Sequence, residues 1–209
     1  MTDAFAGDAA AAKPNLRAQS WAATRKRLLD AAVESLIEGG AARTTTVAVQ
    51  MRAGVSRGAL LHHFPSQAEL LSATVDELVR RNEAAVRDAR ARQRHDEPVE
   101  RAVQTLATMM AQPAFLAELE LWAVARTDAA LREALLAAER SAEREKDRVV
   151  GELFAPVADR PGYAGVVAMT VEFLRGLALS GVLRRNPSRR RRLIAQWIWA
   201  AKILLDHRP

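Results

Sequence analysis

Apolar residues recur every three to four positions along most of the chain, which is the spacing of a helix with one buried face. The first such segment begins at about Ala22 and ends before Gly39. Leu29, Ala32 and Leu36 lie on one side of it. The strict alternation of apolar and polar residues that is typical of half-buried strands is missing. The pattern therefore predicts an all-α fold.

Proline and glycine divide the rest of the chain into further predicted helices. Pro65 and Ser66 mark the start of one long helix from Gln67 to about Arg94. The remaining helices are predicted at residues 98–111, 113–126, 128–154, 163–184 and 188–206. Residues 1–21 are rich in small side chains, and we expect them to form a disordered arm.

The segment at residues 45–64, TTVAVQMRAGVSRGALLHHF, carries the signals of two short helices joined by a tight turn. Thr45 can cap the first helix, because its hydroxyl accepts a hydrogen bond from an otherwise unpaired helix N–H. Gly54 can take the left-handed conformation that ends this helix, and Ser56 can cap the second. This order of signals predicts a helix-turn-helix motif.

The second of these helices has an inner and an outer side. Leu60 and Phe64 are four residues apart and are expected to face inward. Arg57 on the other side could donate two hydrogen bonds to guanine or pair with a phosphate, and Gly58 allows close approach of a partner. A helix of this kind fits the major groove of DNA. The outer side carries Arg57, Gly58, Leu61 and His62.

Composition narrows the function classes. The chain has 209 residues, 49% hydrophobic and 27% charged, which is sufficient for a sizeable core. A formal net charge of +6 is compatible with a polyanionic partner. Cysteine is absent, which excludes disulfides and thiolate metal sites. Asp3 and Asp8 stand where a signal peptide would need positive charge, so we expect a cytoplasmic protein without a membrane partner.

The series AGVSRGALLHHFPSQAELL follows a threonine cluster and a helix ending in EGG. In this order the segments resemble the DNA-binding domain of tetracycline-repressor (TetR) family transcriptional regulators, over about residues 22–82. The resemblance implies an all-α protein with an N-terminal three-helix helix-turn-helix domain, its motif at residues 45–64. It also implies a C-terminal helical domain for effector binding and dimerisation at residues 83–209.

In function, the resemblance implies a bacterial regulator, usually a repressor, that binds a palindromic DNA operator as a homodimer. A small-molecule effector, which we expect to be largely apolar, would release it. We expect no cofactor and no enzymatic activity, and a location on the nucleoid when the protein is bound to DNA. Two other classes of protein are alternatives. An enzyme would need an assembled nucleophile, base or metal site, and a helical ligand-binding or scaffold dimer would have lost DNA recognition.

The predicted DNA contacts extend beyond the recognition helix. The resemblance implies that His63 hydrogen-bonds a backbone phosphate, with packing against the head as the alternative. Leu61 stands where the family commonly has tyrosine, and Gln67 where it often has lysine. Metal binding by the two histidines is not expected, because neither HExxH nor carboxylates at ligand spacing accompany them. The full predicted set is Arg43, Thr45, Thr46, Ser56, Arg57, Gly58, Leu61, His62, His63 and Gln67.

Candidates for the two other roles lie in the C-terminal half. Flexible and aromatic side chains could line an apolar effector pocket, with Arg126 and Glu118 as polar contacts. The family pairs its last two helices across a two-fold axis, and the corresponding helices here are rich in small and apolar residues. The predicted pocket set is Met109, Phe115, Leu119, Trp122, Arg126, Met169 and Phe173. The predicted dimer set is Leu177, Gly181, Leu193, Trp197, Ile198 and Leu204.

Overall fold

The computed structural model describes residues 16–92 and 97–207. Within these ranges the chain forms nine α-helices and no strand, so the predicted all-α fold is confirmed. The helices are α1 (Leu16–Gly39), α2 (Thr46–Ala53), α3 (Arg57–His63), α4 (Gln67–Arg92), α5 (Pro98–Met109), α6 (Pro113–Ala125), α7 (Ala129–Phe154), α8 (Tyr163–Leu183) and α9 (Pro187–Leu204).

Helix α1 is longer than the hydrophobic pattern predicted. It begins at Leu16, so the expectation of a disordered arm is wrong for residues 16–21, while residues 1–15 lie outside the described part of the chain. The reason lies in an aromatic contact that periodicity does not reveal. The ring of Trp21 lies 4.7 Å from that of His63, which gives the first turns of α1 a packing partner.

Most other helix ends agree with their sequence signals. Pro98, Pro113 and Pro187 each occupy the first turn of a helix, where a missing N–H leaves no intrahelical bond unmade. The side chains of Asp128 and Asn186 cap α7 and α9 by accepting hydrogen bonds from backbone N–H groups three residues later. Local capping chemistry therefore accounts for where these helices start.

The first three helices and the start of α4 form a head with its own core. Leu60 and Phe64 are buried there, as their spacing predicted. The fully buried Val49 anchors α2 in the same core. The core residues of the head are Leu28, Leu29, Ala31, Ala32, Val49, Leu60, Phe64 and Leu70.

Helix α4 joins the head to the body formed by α5 to α9. A second core lies across the junction and includes residues from α1, α4, α6 and α7, so head and body are packed together rather than tethered by a linker. A third core fills the body. The residues of the junction are Val33, Leu36, Ala41, Leu71, Val75, Leu78, Val79, Ala117, Leu121, Ala125, Leu131 and Leu135.

Helix α8 stands out by its apolar composition. Among the described residues it is the one helix whose length and mean hydropathy of 1.7 would allow it to cross a bilayer. Only 28% of its most apolar window is buried within the chain. A core helix can meet the same criteria, so length and composition are weak evidence for a membrane span.

Candidate functional site

The α2–turn–α3 segment has the geometry that its sequence predicted. The Thr45 hydroxyl accepts a hydrogen bond from the Ala48 N–H at 3.1 Å, and the Ser56 hydroxyl accepts one from the Ala59 N–H at 3.2 Å. Gly54 ends α2 with φ 63° and ψ 41°, the left-handed conformation that glycine adopts at little steric cost. The caps and the turn therefore fix the angle between two short helices.

One side of α3 is open to solvent. Arg57, Gly58, Leu61 and His62 are all exposed, and a Cβ added at Gly58 would meet no atom within 4 Å. Because Leu60 and Phe64 hold the other side in the head core, the four exposed residues form a convex ridge. Such a ridge can enter a groove and offer one guanidinium, one imidazole and one apolar side chain to it.

The flanks of this ridge carry the rest of the predicted contact set. Arg43 is exposed in a short 3-10 turn that precedes α2, and Thr46 is half-buried at the start of α2. Gln67, at the start of α4, donates its side-chain N–H to the Thr44 carbonyl at 3.3 Å. This bond ties α4 to the loop before α2 and takes up one of the two amide hydrogens of Gln67.

His63 is placed differently from the other candidates. Its ring is half-buried against Trp21, and its Nδ1 is buried without a hydrogen-bond partner among the described residues. Burial, together with the nearby charges of His62 and Arg25, lowers the pKa of His63. The ring is therefore neutral near pH 7, and packing within the head is one role it already fulfils.

Arg52 fastens α2 to α1. Its guanidinium bonds the Ser35 hydroxyl at 3.3 Å, lies 3.4 Å from a carboxylate oxygen of Glu34 and forms an ion pair with Glu38. The hydrogen bond that Arg52 donates to Glu38 is the main cause of a raised pKa at Arg52. Sequence reasoning missed this clamp, although an arginine facing two carboxylates four residues apart on the preceding helix was the available signal.

A single side chain of α6 reaches back to the head. Glu120 Oε1 accepts a hydrogen bond from the Ala41 N–H at 2.6 Å. The preceding Gly40 has φ 74° and ψ 176°, a region that is essentially restricted to glycine. A Cβ added at Gly40 would lie 2.5 Å from the same carboxylate oxygen. The end of α1 and the middle of α6 thus meet at a contact that leaves no room for a side chain.

The body contains a cavity of about 550 Å³ between α4, α5, α6, α7 and α8. Its walls are mainly valine, methionine and aromatic side chains, with a few charged groups among them. The described lining residues are Val79, Asn82, Glu83, Val86, Leu106, Met109, Met110, Phe115, Trp122, Glu143, Lys146, Asp147, Val149, Val150, Tyr163, Ala164, Val167, Ala168, Val171, Glu172 and Arg175.

Three members of the predicted pocket set, Met109, Phe115 and Trp122, line this cavity. The other four do not, and the prediction is wrong for them. Leu119 lies in the body core, and Phe173 packs on Trp197 with ring centroids 5.6 Å apart. Arg126 is exposed at the end of α6, and Met169 is exposed on the outer side of α8. Helical spacing identified apolar faces but not which neighbour each one meets.

Polar residues lie at the inner wall, and the sequence predicted only one of them, Glu118, as a polar contact of the pocket. Glu118, 0% exposed, accepts a hydrogen bond from the Asn82 amide at 3.1 Å and pairs with Lys146 Nζ at 2.5 Å. Lys146 Nζ also lies 5.2 Å from the centroid of the Trp122 ring, and the Arg175 guanidinium lies 5.1 Å from it. These partners come from four helices, which is why the sequence predicted Glu118 but not Asn82, Lys146 or Arg175.

The predicted dimer set is divided by the structure. Leu177 and Ile198 are buried in the chain's own core, so their prediction as interface residues is wrong. Trp197 faces inward, and its indole N–H donates to the Thr170 hydroxyl at 2.9 Å. Gly181 and Leu193 are half-buried, and Leu204 is exposed.

Other apolar side chains of α8 and α9 point outward. On α8 these include Leu179 and Leu183, and on α9 they include Trp199 and Ile203. Each pair is four residues apart, so each forms a stripe along one side of its helix. Within residues 16–92 and 97–207, no three His, Asp or Glu side chains are grouped in a way that could hold a metal ion.

Comparison with known proteins places this architecture. Residues 28–74 match the family described as bacterial regulatory proteins, tetR family. The chain is 30% identical to the HTH-type transcriptional regulator CymR of Pseudomonas putida over 79% of its own length and 83% of CymR. It is also 36% identical to an uncharacterised HTH-type transcriptional regulator of Mycobacterium tuberculosis, over 54% of this chain and 58% of that protein. The chain thus matches little more than half the length of this mycobacterial relative.

Solved structures share the fold across both head and body. A transcriptional regulator from Rhodococcus sp. Rha1 superposes with a TM-score of 0.69 at 20% identity, over 88% of this chain and 99% of that one. The multidrug binding protein EbrR, complexed with ethidium, gives a TM-score of 0.57 at 24% identity, over 83% and 97%. The sequence relatives are named as transcriptional regulators and not as enzymes. With a helix-turn-helix head, an all-helical body and these relatives, the chain belongs to the TetR family of bacterial transcriptional regulators.

Proposed function

We propose that the protein is a repressor that binds a palindromic DNA operator as a homodimer and leaves it when a small molecule occupies the body. In this proposal residues 22–82 form the DNA-binding domain, and residues 83–209 bind the effector and form the dimer. The observation that carries the proposal is the capped α2–turn–α3 segment, whose outer ridge is open and whose inner side is fixed in a core.

The ridge supplies groups suited to reading a major groove. Arg57 can donate in a bidentate manner to guanine, and Leu61 can contact a thymine methyl group. Ser56 and Thr45 sit at helix starts, where backbone N–H groups favour phosphate oxygens. Arg43, Thr46, His62, His63 and Gln67 complete the proposed contact set at the flanks. His63 would then bond a phosphate as a neutral imidazole rather than as a cation.

Dimerisation is supported by the outward stripes of α8 and α9. Leu183 is 91% exposed and Trp199 is 68% exposed, which is unusual for such large apolar side chains on helices of a body that has its own core. On the same side of α8, Gly176 has open space around it, so another helix can approach closely. The proposed interface is therefore built from Met169, Leu179, Leu183, Trp199, Ile203 and Leu204, together with Gly181 and Leu193 at its edge.

Effector release is supported by the position of α6. Phe115 and Trp122 of this helix line the cavity, while Glu120 between them bonds the head at Ala41. A ligand that shifts α6 would change both the junction core and the tilt of α4, and thereby the spacing of two heads on DNA. EbrR, which has the same fold, is described in complexes with ethidium and proflavin.

The first experiment is selection of bound fragments from a random double-stranded DNA library, followed by titration of a selected site at several salt concentrations. We expect a two-fold symmetric consensus, and an association constant that falls steeply as salt rises, because phosphate contacts release counterions. Arg184→Ala, an exposed arginine at the end of α8, should bind as the wild type does. Absence of any salt-dependent DNA binding would instead support a helical ligand-binding dimer that has lost DNA recognition.

Replacement of Arg57 tests the reading of bases. We expect Arg57→Ala to reduce the discrimination between the selected operator and random DNA by about 1–3 kcal/mol, if the guanidinium reads a base edge. The two dissociation constants are measured by fluorescence anisotropy at one salt concentration. An equal loss on both DNAs would assign Arg57 to a phosphate and contradict its proposed role in specificity.

Coupling between operator and effector can be tested without knowing the natural ligand. A compound that raises the melting temperature of the free protein is titrated in the presence and in the absence of operator. We expect operator to weaken its binding by the same factor by which it weakens operator binding, because linkage is reciprocal. A compound that occupies the cavity with equal affinity in both states would contradict effector release by that site.

A further inference from the structure

The charged groups around the cavity differ between its inner wall and its exposed edge. On the inner wall, the side chains of Lys146 and Arg175 are 30% and 25% exposed, and Glu118 behind them is fully buried. Four other carboxylates line the cavity: Glu143, Asp147 and Glu172 are exposed, and Glu83 is half-buried. Water and salt screen exposed charges strongly, whereas charges in the interior act at close to full strength on a bound group.

Among the described side chains, the inner wall holds two cations, Lys146 and Arg175, and the buried carboxylate of Glu118, while Glu83 on α4 is half-buried. Glu118 is compensated by its ion pair with Lys146 at 2.5 Å. Arg175 is left with an ion pair to Glu172, whose side chain is 69% exposed and therefore screened. Arg175 is therefore a cavity-lining cation whose ion-pair partner is exposed, so its guanidinium can pair with an anion in the cavity.

The surroundings of Trp122 also favour an anionic ligand over a cationic one. Cationic ligands are commonly held over the face of a tryptophan or tyrosine. Here the Trp122 ring already has Lys146 Nζ at 5.2 Å and the Arg175 guanidinium at 5.1 Å. A cationic ligand over Trp122 would meet both of these charges at short range.

Two buried polar atoms of the lining residues have no hydrogen-bond partner in the described part of the chain. They are Nε of Arg175, a donor, and Oδ1 of Asn82, an acceptor. The Asn82 amide nitrogen bonds Glu118, which leaves Oδ1 as the unsatisfied end of a side chain that is 93% buried, since the residue is 7% exposed. An unpaired buried group is costly, so a ligand that supplies the missing partners gains affinity.

We propose that the cavity takes a small organic acid with an apolar, preferably aromatic, body and an anionic oxygen group that accepts a hydrogen bond from Arg175. A hydroxyl or N–H on the ligand would donate to Asn82 Oδ1. The inference rests on the proposed function only in calling this acid an effector, because binding to the cavity needs no DNA. It also differs from the binding of ethidium and proflavin, which are the cations complexed with EbrR.

Three fluorescent probes with one ring system test the sign of the charge: pyrenecarboxylate, pyrenemethanol and pyrenemethylammonium. Their dissociation constants are measured by fluorescence anisotropy on the full chain without DNA. We expect the carboxylate to bind most tightly and the ammonium most weakly in the wild type. Tighter binding of the ammonium, or equal binding of carboxylate and alcohol, would overturn the proposal without the need for any variant.

Replacement of Arg175 tests the residue. Arg175→Met should weaken pyrenecarboxylate about tenfold to a hundredfold, as expected for loss of a charge-assisted hydrogen bond, and leave pyrenemethanol almost unchanged. Arg175→Lys keeps the charge without Nε and should lose less. Arg126→Met, the same change on an exposed arginine outside the cavity, should alter neither affinity. A Met variant that melts like the wild type but loses both probes equally would overturn the assignment to Arg175.

The outcomes separate this inference from the proposed function. If pyrenecarboxylate binds as expected but does not release a selected operator fragment, effector release by this acid is wrong and the anion site stands. If no operator can be selected at all, the probe measurements are unaffected. If only the cationic or the neutral probe releases the operator, the proposal of effector release stands and the proposal of an organic acid as the effector is wrong.

Discussion

His63 illustrates how much the role of a residue depends on contacts distant in sequence. The resemblance to the family implied a phosphate contact, and the structure shows a ring packed between Trp21 and Phe64 with a buried, unpaired Nδ1. The two roles are compatible only if the other ring nitrogen, Nε2, forms the hydrogen bond with the phosphate. Because the ring is neutral, its contribution to DNA binding would be that of one hydrogen bond without a charge.

The lowered pKa of His63 makes stability depend on pH in a defined direction. The unfolded residue has its ordinary pKa of 6.5, so between the two pKa values the unfolded chain holds more protons. The free energy of unfolding should therefore be highest above about pH 6.5 and fall as the pH drops through the lower, folded pKa. Urea unfolding between about pH 5 and 7.5 measures it.

Two histidine-to-glutamine variants test this prediction, one at His63 and a control at His207. His63→Gln should flatten the dependence of unfolding free energy on pH in this range. His207→Gln removes a histidine beyond the end of α9 and should leave the contribution of His63 in place. A His63→Gln protein with the full wild-type slope would show that another group causes it.

At the scale of elements, α6 is the part of the body that meets the head most directly. Its carboxylate at Glu120 bonds the Ala41 N–H, and the Thr44 hydroxyl donates to the Gly40 carbonyl at 2.9 Å. Together these bonds fix the turn between α1 and α2 from both sides. A change in the position of α6 must therefore move this turn or break the bond.

Gly40→Ala is expected to destabilise the protein by at least about 1–3 kcal/mol, which is the cost of a non-glycine residue in such a backbone conformation. The clash of the new Cβ with Glu120 adds to this. Gly54→Ala is the matched comparison, because Gly54 also has positive φ but open space around it. Chemical denaturation gives both free energies.

A double variant separates the two causes of the Gly40 effect. Gly40→Ala combined with Glu120→Ala removes the clash and keeps the backbone strain, so part of the loss should be recovered beyond the sum of the single changes. Strict additivity would mean that the carboxylate moves aside freely, and that the contact does not constrain the head.

Elements were more predictable from the sequence than the sites between them. Thr45, Gly54 and Ser56 act through bonds to their own neighbours, so their types and order were enough to predict α2, the turn and α3. The cavity could not be predicted in this way. Asn82, Lys146 and Arg175 come from three different helices, and periodicity shows that a face is buried without showing what it is buried against.

The same limit explains the error in the dimer prediction. Their apolar type and position in the last two helices predict Leu177 and Ile198 as interface residues, but both face the body core. Leu179 and Trp199, two and one positions further along, face outward. A helix that is apolar on most sides can pack one face on the body core and another on a second chain. The sequence alone does not show which face is which. Only the packing of α8 and α9 on α5 and α6 distinguishes them.

At the scale of the whole molecule, the outward stripes of α8 and α9 should determine the oligomeric state. Trp199→Glu would place a charge within the proposed interface, and burial of an unpaired charge is costly. We expect the dimer dissociation constant to rise by about a hundredfold or more, measured by sedimentation velocity. Leu136→Glu, on an exposed position of α7, should remain a dimer.

Operator affinity provides the second measurement for this variant. Because one head covers only half of a palindromic site, the Trp199→Glu protein should bind operator much more weakly. Its helical content should match the wild type, and it should still melt cooperatively as a monomer. A monomeric wild type, or a Trp199→Glu dimer as tight as the wild type, would contradict the proposed interface.

The exposed tryptophan on α9 has a consequence for the cell as well as for the molecule. If two chains must meet before either can hold an operator, the occupied fraction of that operator rises with the square of chain number while most chains are single. A small drop in synthesis would then relieve repression sharply, even without any ligand. The affinity contributed by Trp199 would thus set the number of copies below which the regulated genes are switched on.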